Sequence, residues 1–594
     1  MGRCIALARS HQEARNTGVG AININQNDTE ALVTSRVTLG MSINSRRFSA
    51  MRNRLQADYQ RTSGETCSPM GVCANACTNA MIPTMTQPSA SGLDGAPLQH
   101  LPGRPLMRTV RYRALAVTMG LVLQVLSFVY GVFPAWAKDG EAASETKRPA
   151  YQILRFNEDW SMLRGVDRSQ TGDFWDVLKF IPITQDQNVW LSLGGQVRER
   201  GEYFREYLFG TKGAPEQSDG YLLSRFRLSA DLHISPYFRV FAEGKSSLST
   251  DRDLLGGRSN AFVDTIDLQN GFADVMIPFG NQASVTLRGG RQELLFGAQR
   301  LVGPSDYTNV RRTFDGGQAI IRFRDWTITP FWAAFVVVDK CRFNESTSHQ
   351  KLFGIYGTGP LYFLPVNLDL YWLGVNNPTA TFNGSTGRER RQTFGGRTWG
   401  KIGKTGLDFE IEGAGQFGTV GDHDNDIAAW MLTTILGYST PIASLSPRIY
   451  IEFDYASGDS NAGGDVGTFN QLYATGHSFL GYIDYIGRQN ILSPSAGLTL
   501  SPIHSLTLSL HQYFFWRASD RDALYNKSGG VLRPGNTTTA RYVGAETDFY
   551  ATYSFCRHIL AYGGYSHFFT GDFIEKTGRD NDSDFFYLAI QYTF

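Results

Sequence analysis

From Val189 to the last residue, Phe594, apolar and polar side chains alternate with a period of two, in segment after segment. In the closing stretch, Asp584 to Phe594, Phe586, Leu588, Ile590, Tyr592 and Phe594 fall on one side of a strand. Tyr587, Ala589, Gln591 and Thr593 fall on the other. Near the start, Val189, Leu191, Leu193 and Val197 oppose Ser192, Gln196, Arg198 and Arg200. Phe226, Leu228 and Ala230 oppose Arg225, Arg227 and Asp231, and Phe238, Val240 and Ala242 oppose Arg239, Glu243 and Lys245. Later, Leu407, Phe409 and Ile411 oppose Asp408, Glu410 and Glu412; Ile449, Ile451 and Phe453 oppose Tyr450, Glu452 and Asp454. Charges interleaved with bulky apolar residues suit strands with lipid on one face and a wet lumen on the other.

The pattern predicts an all-β protein, a transmembrane outer-membrane β-barrel of about 18 antiparallel strands over residues 188–594. Connections are expected to alternate in length. Short links fall around Ser235-Pro236, Asp325, Gly403-Lys404 and Pro502-Ile503. Long ones are expected at Gly210–Gly220, Gly297–Asp315, Asn376–Arg390, Gly458–Arg488 and Ala518–Ala540. Short turns at one end and long loops at the other place the N-terminus in the periplasm. A soluble propeller would repeat at a constant period, and no such repeat is present.

One apolar stretch precedes the strands. Arg108, Arg111 and Arg113 lead into Ala114–Phe133, then Ala135-Trp136-Ala137. A basic run, an apolar run and a small-x-small site have the order of a secretory signal, assigned to residues 107–137 with cleavage after Ala137; the apolar run is long for a signal, and an uncleaved anchor helix is the alternative. Residues 1–106 are polar and aperiodic and are assigned as translated upstream sequence or a disordered extension. Residues 138–187 form a periplasmic lead-in, with RFNEDWSMLR at Arg155–Arg164, that could pack under the barrel or bind a partner.

Charge supports this division. Residues 1–137 carry 13 Lys and Arg against 6 Asp and Glu, and the remainder carries 43 against 49. A mildly acidic mature chain gives no bulk attraction for nucleic acid. Cys4, Cys67, Cys73 and Cys77 precede Met107, and their spacing is not that of a zinc site. Cys341 and Cys556 remain for the mature part, in a compartment where they could pair. No metal or other cofactor is expected.

The chemistry sits on the inward face of the early strands. Arg198, Arg200, Arg225, Arg227, Arg239, Lys245, Arg288, Arg322 and Arg324 are the candidate solute-binding residues of the lumen. Arginine stays charged, and its planar fork matches a carboxylate; rings of such groups select anions. Glu199, Asp231, Glu243 and Glu293 lie among them, so a self-neutralising network that stiffens the wall is the competing role. Asp408, Glu410, Glu412, Glu452 and Asp454 would make the opposite wall acidic. Ser509 and His511 sit two apart but project into the lumen, and no nucleophile elbow, zinc-protease helix or P-loop is present, so no enzyme activity is expected.

The densest cluster is RGGRQELLFGAQRLVGPSDYTNVRRTFDGG, Arg288–Gly317. Arg288, Gly290, Arg291, Gln292, Gly297, Gln299 and Arg300, then Asn309, Arg311, Arg312, Phe314, Asp315 and Gly316, resemble the alginate-export family of outer-membrane barrels. FDYASGDS at Phe453–Ser460, Thr468–Ile491 and the lead-in RFNEDWS are similar to that family as well. The resemblance implies an 18-stranded barrel, an arginine-rich constriction passing an anionic polyuronate, and a loop that partly closes the pore; it adds Arg291 to the candidate solute-binding residues of the lumen, with Arg288 and the inward arginines of the neighbouring strands in the constriction. The expected partners are an anionic polysaccharide or small anions, the lipid bilayer and periplasmic secretion proteins. The alternative function is a porin for uptake of small anionic or polar solutes.

Overall fold

A computed structural model describes residues 148–167, 173–211, 216–440, 445–477 and 479–594. The signal segment and the upstream extension lie outside these residues. Alternating side chains lock each segment into an extended strand, because only that conformation sends the two residue classes to opposite faces. Eighteen barrel strands result: β1 (Val189–Arg205), β2 (Asp219–Ile234), β3 (Phe238–Ser249), β4 (Asp264–Phe279), β5 (Ala283–Gln292) and β6 (Phe314–Phe323). There follow β7 (Trp326–Val337), β8 (Glu345–Leu361), β9 (Val366–Phe382), β10 (Ser385–Lys401), β11 (Leu407–Val420) and β12 (Asn425–Ser439). The last are β13 (Arg448–Ala456), β14 (Ile491–Ile503), β15 (Leu506–Arg517), β16 (Tyr542–Ser554), β17 (Ile559–Thr570) and β18 (Ser583–Thr593).

Each strand pairs antiparallel with the next, and β18 closes on β1 from Gln196 opposite Thr593 to Arg205 opposite Asp584. Closure removes the sheet edges, which hydrocarbon could not solvate. The outward face is apolar: Phe226, Leu228, Phe394, Phe417, Phe586 and Leu588 all expose at least 40% of their surface. Charged residues are buried instead on the inward face, the reverse of a soluble protein. Among the described residues no helix is long and apolar enough to cross a membrane.

One expected long link is a tight hairpin. β9 and β10 run on past the span expected for them, and Asn383-Gly384 turns the chain with φ of 39° and 92°. Positive φ at both positions suits a type I′ turn, which Asn-Gly favours because neither pays much for left-handed backbone. The Asn-Gly pair was the available signal. Cys556 carries a free thiol, so it is not paired with Cys341.

The described part of the lead-in packs into the short-turn mouth of the barrel. Arg155 donates to the carbonyls of Gly195 (3.1 Å) and Phe594 (2.9 Å), tying the front of the described chain to its last residue. Phe156 packs edge-on against Phe241 and Phe272 of the inner wall. Ile181-Pro182 pairs with β1 just below the point where β18 ends, extending the closure seam. Outside that seam, Trp175 stacks on Phe594 at 4.2 Å and donates to the Tyr592 hydroxyl at 2.6 Å. Gly195 is glycine because a Cβ there would collide with the Phe594 ring.

Candidate functional site

Two links fold inward from the long-loop end. Loop 293–313 follows β5 and loop 457–490 follows β13. They join each other: Tyr473 donates to Leu301 O (2.8 Å), Gly303 to Tyr473 O (3.0 Å) and Thr475 to Gln299 O (3.0 Å). Leu301, Val302, Phe469, Tyr473, Leu480 and Ile483 then form one apolar cluster with inward residues at the strand ends, including Phe204, Leu223, Phe314, Leu352, Val375 and Phe515. Loop 457–490 is therefore a luminal element, not a surface loop. The His477 ring stacks on Tyr307, and its backbone N–H donates to Asp484.

Below this cluster the arginines of β1 and β2 seize loop 293–313 by its main chain. Arg198 donates to the carbonyls of Asp306 (2.9 Å), Tyr307 (3.1 Å) and Thr308 (3.1 Å). Arg225 donates to Asp306 O (2.8 Å), to the Asp306 carboxylate (2.9 Å) and to Gln196 (2.9 Å). Arg200 donates to Tyr307 O, lies 3.8 Å over the Tyr307 ring, and pairs with Glu202 at 2.8 Å. Arg311, from the loop itself, completes the set on Asp306 at 2.9 Å. The Arg225 side chain is 1% exposed and the Asp306 side chain 37% exposed, so the carboxylate is the open side of the clamp.

The other candidates divide. Arg227 pairs with Glu243 (2.6 Å), Arg239 with Asp231 (2.6 Å), Lys245 with Asp264 (2.9 Å) and Arg288 with Asp274 (2.7 Å), all within the early wall. Arg239 also donates to Phe156 O, and Arg288 lies 4.6 Å over the Phe156 ring, so these two hold the lead-in. Arg291 is three residues beyond Arg288 and falls on the opposite strand face, paired with Asp315 at 2.8 Å. Arg322 is exposed near the short-turn end of β6, and Arg324 lies in the turn with φ of 51°. Glu199 is also on the outward face, accepting from Ser224 Oγ at 2.6 Å. Parity along each strand explains both outward residues.

The opposite wall is not simply acidic. Arg300 of the loop bridges Glu410 and Glu412, Arg397 meets Asp369 (2.9 Å) and Glu410 (3.1 Å), Arg448 meets Asp408 (2.6 Å), and Arg488 meets Asp454 (3.1 Å). The expected polarisation is thus cancelled locally by arginines from loops and neighbouring strands. The alternation of Glu389, Arg391 and Arg397 on β10 was the sequence signal for part of this set. A small cavity where the loops meet is lined by Arg300, Thr475, Phe479, Asp484, Arg488 and Lys527. His511 contacts Tyr450 and Tyr513 at 3.1 and 3.2 Å, while Ser509 lies 3.4 Å from Thr499. Among the described residues no group of three or more His, Cys, Asp or Glu is placed to hold a metal ion.

Among solved structures, the chain is similar to Pseudomonas aeruginosa OccK9 (OpdG), with TM-score 0.49 and 11% identity over 68% of this chain and 98% of that one. It is similar to the outer membrane protein OprD of the same organism, with TM-score 0.45 and 14% identity over 68% and 93% of the two chains. OpdK with vanillate gives TM-score 0.45 and 10% identity over 68% and 98%. A search of curated protein sequences returned no match. The sequence profile described as alginate export matches residues 189–587, from the first barrel strand into the last. The protein is an outer-membrane β-barrel, and it belongs to the alginate export family.

Proposed function

We propose that the channel passes an anionic polysaccharide, an alginate-like polyuronate, outward through the lumen, and that loop 293–313 is the element such a chain displaces. The observation that carries this reading is the clamp. Arg198, Arg200, Arg225 and Arg311 converge on one carboxylate and three consecutive carbonyls. A wall built to hold anionic and carbonyl oxygens can hold the same groups on a uronate chain once the loop has moved. The family match favours export over uptake of small anionic or polar solutes. The arginine pairs deeper in the wall keep its field fixed in either state.

The test has two arms. Deleting the chromosomal locus should abolish release of an acidic polymer, with growth on small organic anions unaffected. The reverse result replaces export by small-solute uptake. In planar bilayers, channels carrying Arg198→Ala, Arg200→Ala and Arg225→Ala together should lose anion preference. The loss should be clearest at low salt, because the Debye length falls from about 10 Å at 0.1 M to about 3 Å at 1 M. Unchanged selectivity would leave these arginines as scaffold alone.

A further inference from the structure

The barrel register places an unusual set of cations on the lipid-facing side, toward the long-loop end. Lys351 of β8 stands opposite Asn376 of β9, and Asn376 stands opposite Arg390 of β10. Leu352 and Arg391, next in sequence, are fully buried on the inward face, so Lys351 and Arg390 point outward. They are separated by one strand, roughly 10 Å at two inter-strand spacings. Arg388, exposed, lies two residues further along β10 on the same face.

These residues sit just above an aromatic belt. Trp372 packs against Phe353 at 5.8 Å and Phe394 at 6.5 Å, and Trp332, Phe394 and Phe417 are about half exposed. Lys351 lies 5.3 Å over the Trp332 ring. Tryptophan marks the boundary between hydrocarbon and headgroups, which puts the cations at headgroup level. Further along the same cross-strand row, Arg291 is neutralised by Asp315. Lys351, Arg388 and Arg390 have no acidic partner among the described residues. Asp426 on β12 and Glu345 at the start of β8 bound the patch.

We propose that Lys351, Arg388 and Arg390 form a binding site for the phosphate groups of an outer-leaflet lipid, whose acyl chains lie against the Trp332–Phe417 belt. Charge complementarity selects an anionic headgroup, and continuity with the apolar band requires that the anion be attached to a chain. Two cations at fixed spacing on rigid strands favour a headgroup carrying more than one phosphate.

Native mass spectrometry of the purified full-length protein, titrated with bis-phosphorylated lipid A, tests the site. At about 1 kcal/mol per cation, affinity should fall about fivefold for each of Lys351→Ala, Arg388→Ala and Arg390→Ala, and about a hundredfold for the triple variant. Arg205→Ala, which removes an outward cation at the Asp584 pair elsewhere on the rim, should leave it unchanged. Heat-modifiable gel mobility confirms that each variant is a folded barrel. Lipid A stripped of both phosphates should bind wild type as weakly as the triple variant. Equal binding by the triple variant, equal binding of the stripped lipid, or full competition by millimolar inorganic phosphate would overturn the proposal.

Discussion

The two sides of the lumen use the same residue type for different ends. On the wall of β1 and β2, Arg198, Arg200 and Arg225 point their donors at main-chain carbonyls and one carboxylate of loop 293–313. On the wall of β9 to β13, Arg397 and Arg448 bind carboxylates of neighbouring strands. Strand-to-strand pairs cannot separate without breaking the barrel. Strand-to-loop contacts can separate while the barrel stays closed. The arginines of the first wall are therefore placed to release a loop and Arg397 and Arg448 of the second to stay fixed, while the second wall meets the loops through its carboxylates, Glu410 and Glu412 on Arg300 and Asp454 on Arg488.

The strongest break of this contrast is the pair Arg198→Ala with Arg225→Ala. Removing buried charged partners costs about 3–5 kcal/mol, and here the loss falls on the state in which the loop is held. Single-channel recordings should show the open state dominating, with barrel stability little altered. A conductance equal to wild type would mean that the apolar cluster and the Arg300 pairs with Glu410 and Glu412 suffice to hold the loop. Asp306→Asn is the milder version. It weakens two charged bonds, each worth up to about 3 kcal/mol, and should raise open probability less than the double variant in the same recordings.

Arg397→Gln sharpens the contrast from the other side. It should lower resistance to chemical unfolding by about 1–3 kcal/mol, by leaving Asp369 and Glu410 less satisfied, and leave conductance unchanged. A conductance change as large as that of the double variant would erase the distinction between the walls.

A smaller effect concerns the lead-in, which seals the short-turn end beneath the first wall. Lys179 donates to Leu193 O and lies over Trp160. Burial, with the Arg155 charge added, pushes its ammonium down to about 7. The undocked segment then binds more protons than the docked one between pH 7 and the ordinary lysine value near 10.5. Docking should tighten as pH rises through that window and be flat below it. Limited proteolysis of residues 148–180 at pH 7 and pH 9 measures this, and Lys179→Met should abolish the dependence. The smallest expected effect is that of Arg291→Gln. Its side chain is on the outer face, so ion selectivity should not move.

Much of this protein is written in the period-two pattern. The strand number, the closing strand with Leu588 and Phe586 toward lipid, and the inward set Arg198, Arg200, Arg225 and Arg227 all follow from alternation, because a strand has only two faces. The same rule, applied strictly, would have put Arg291 and Glu199 outside, and Asn383-Gly384 would have closed the β9–β10 hairpin. What alternation cannot carry is the partner of a side chain that points into a space several strands wide. Nothing local to Arg225 says that Asp306, 81 residues away, will meet it. Nothing local to Phe204 or Leu352 says that an inward position will be covered by loop 457–490 instead of water. Those contacts join segments far apart in the chain, and only closure of the barrel brings them together. The sequence by itself determined which residues line the lumen. The tertiary structure alone decided that the arginines of β1 and β2 hold a loop while those of β10 and β13 brace strands.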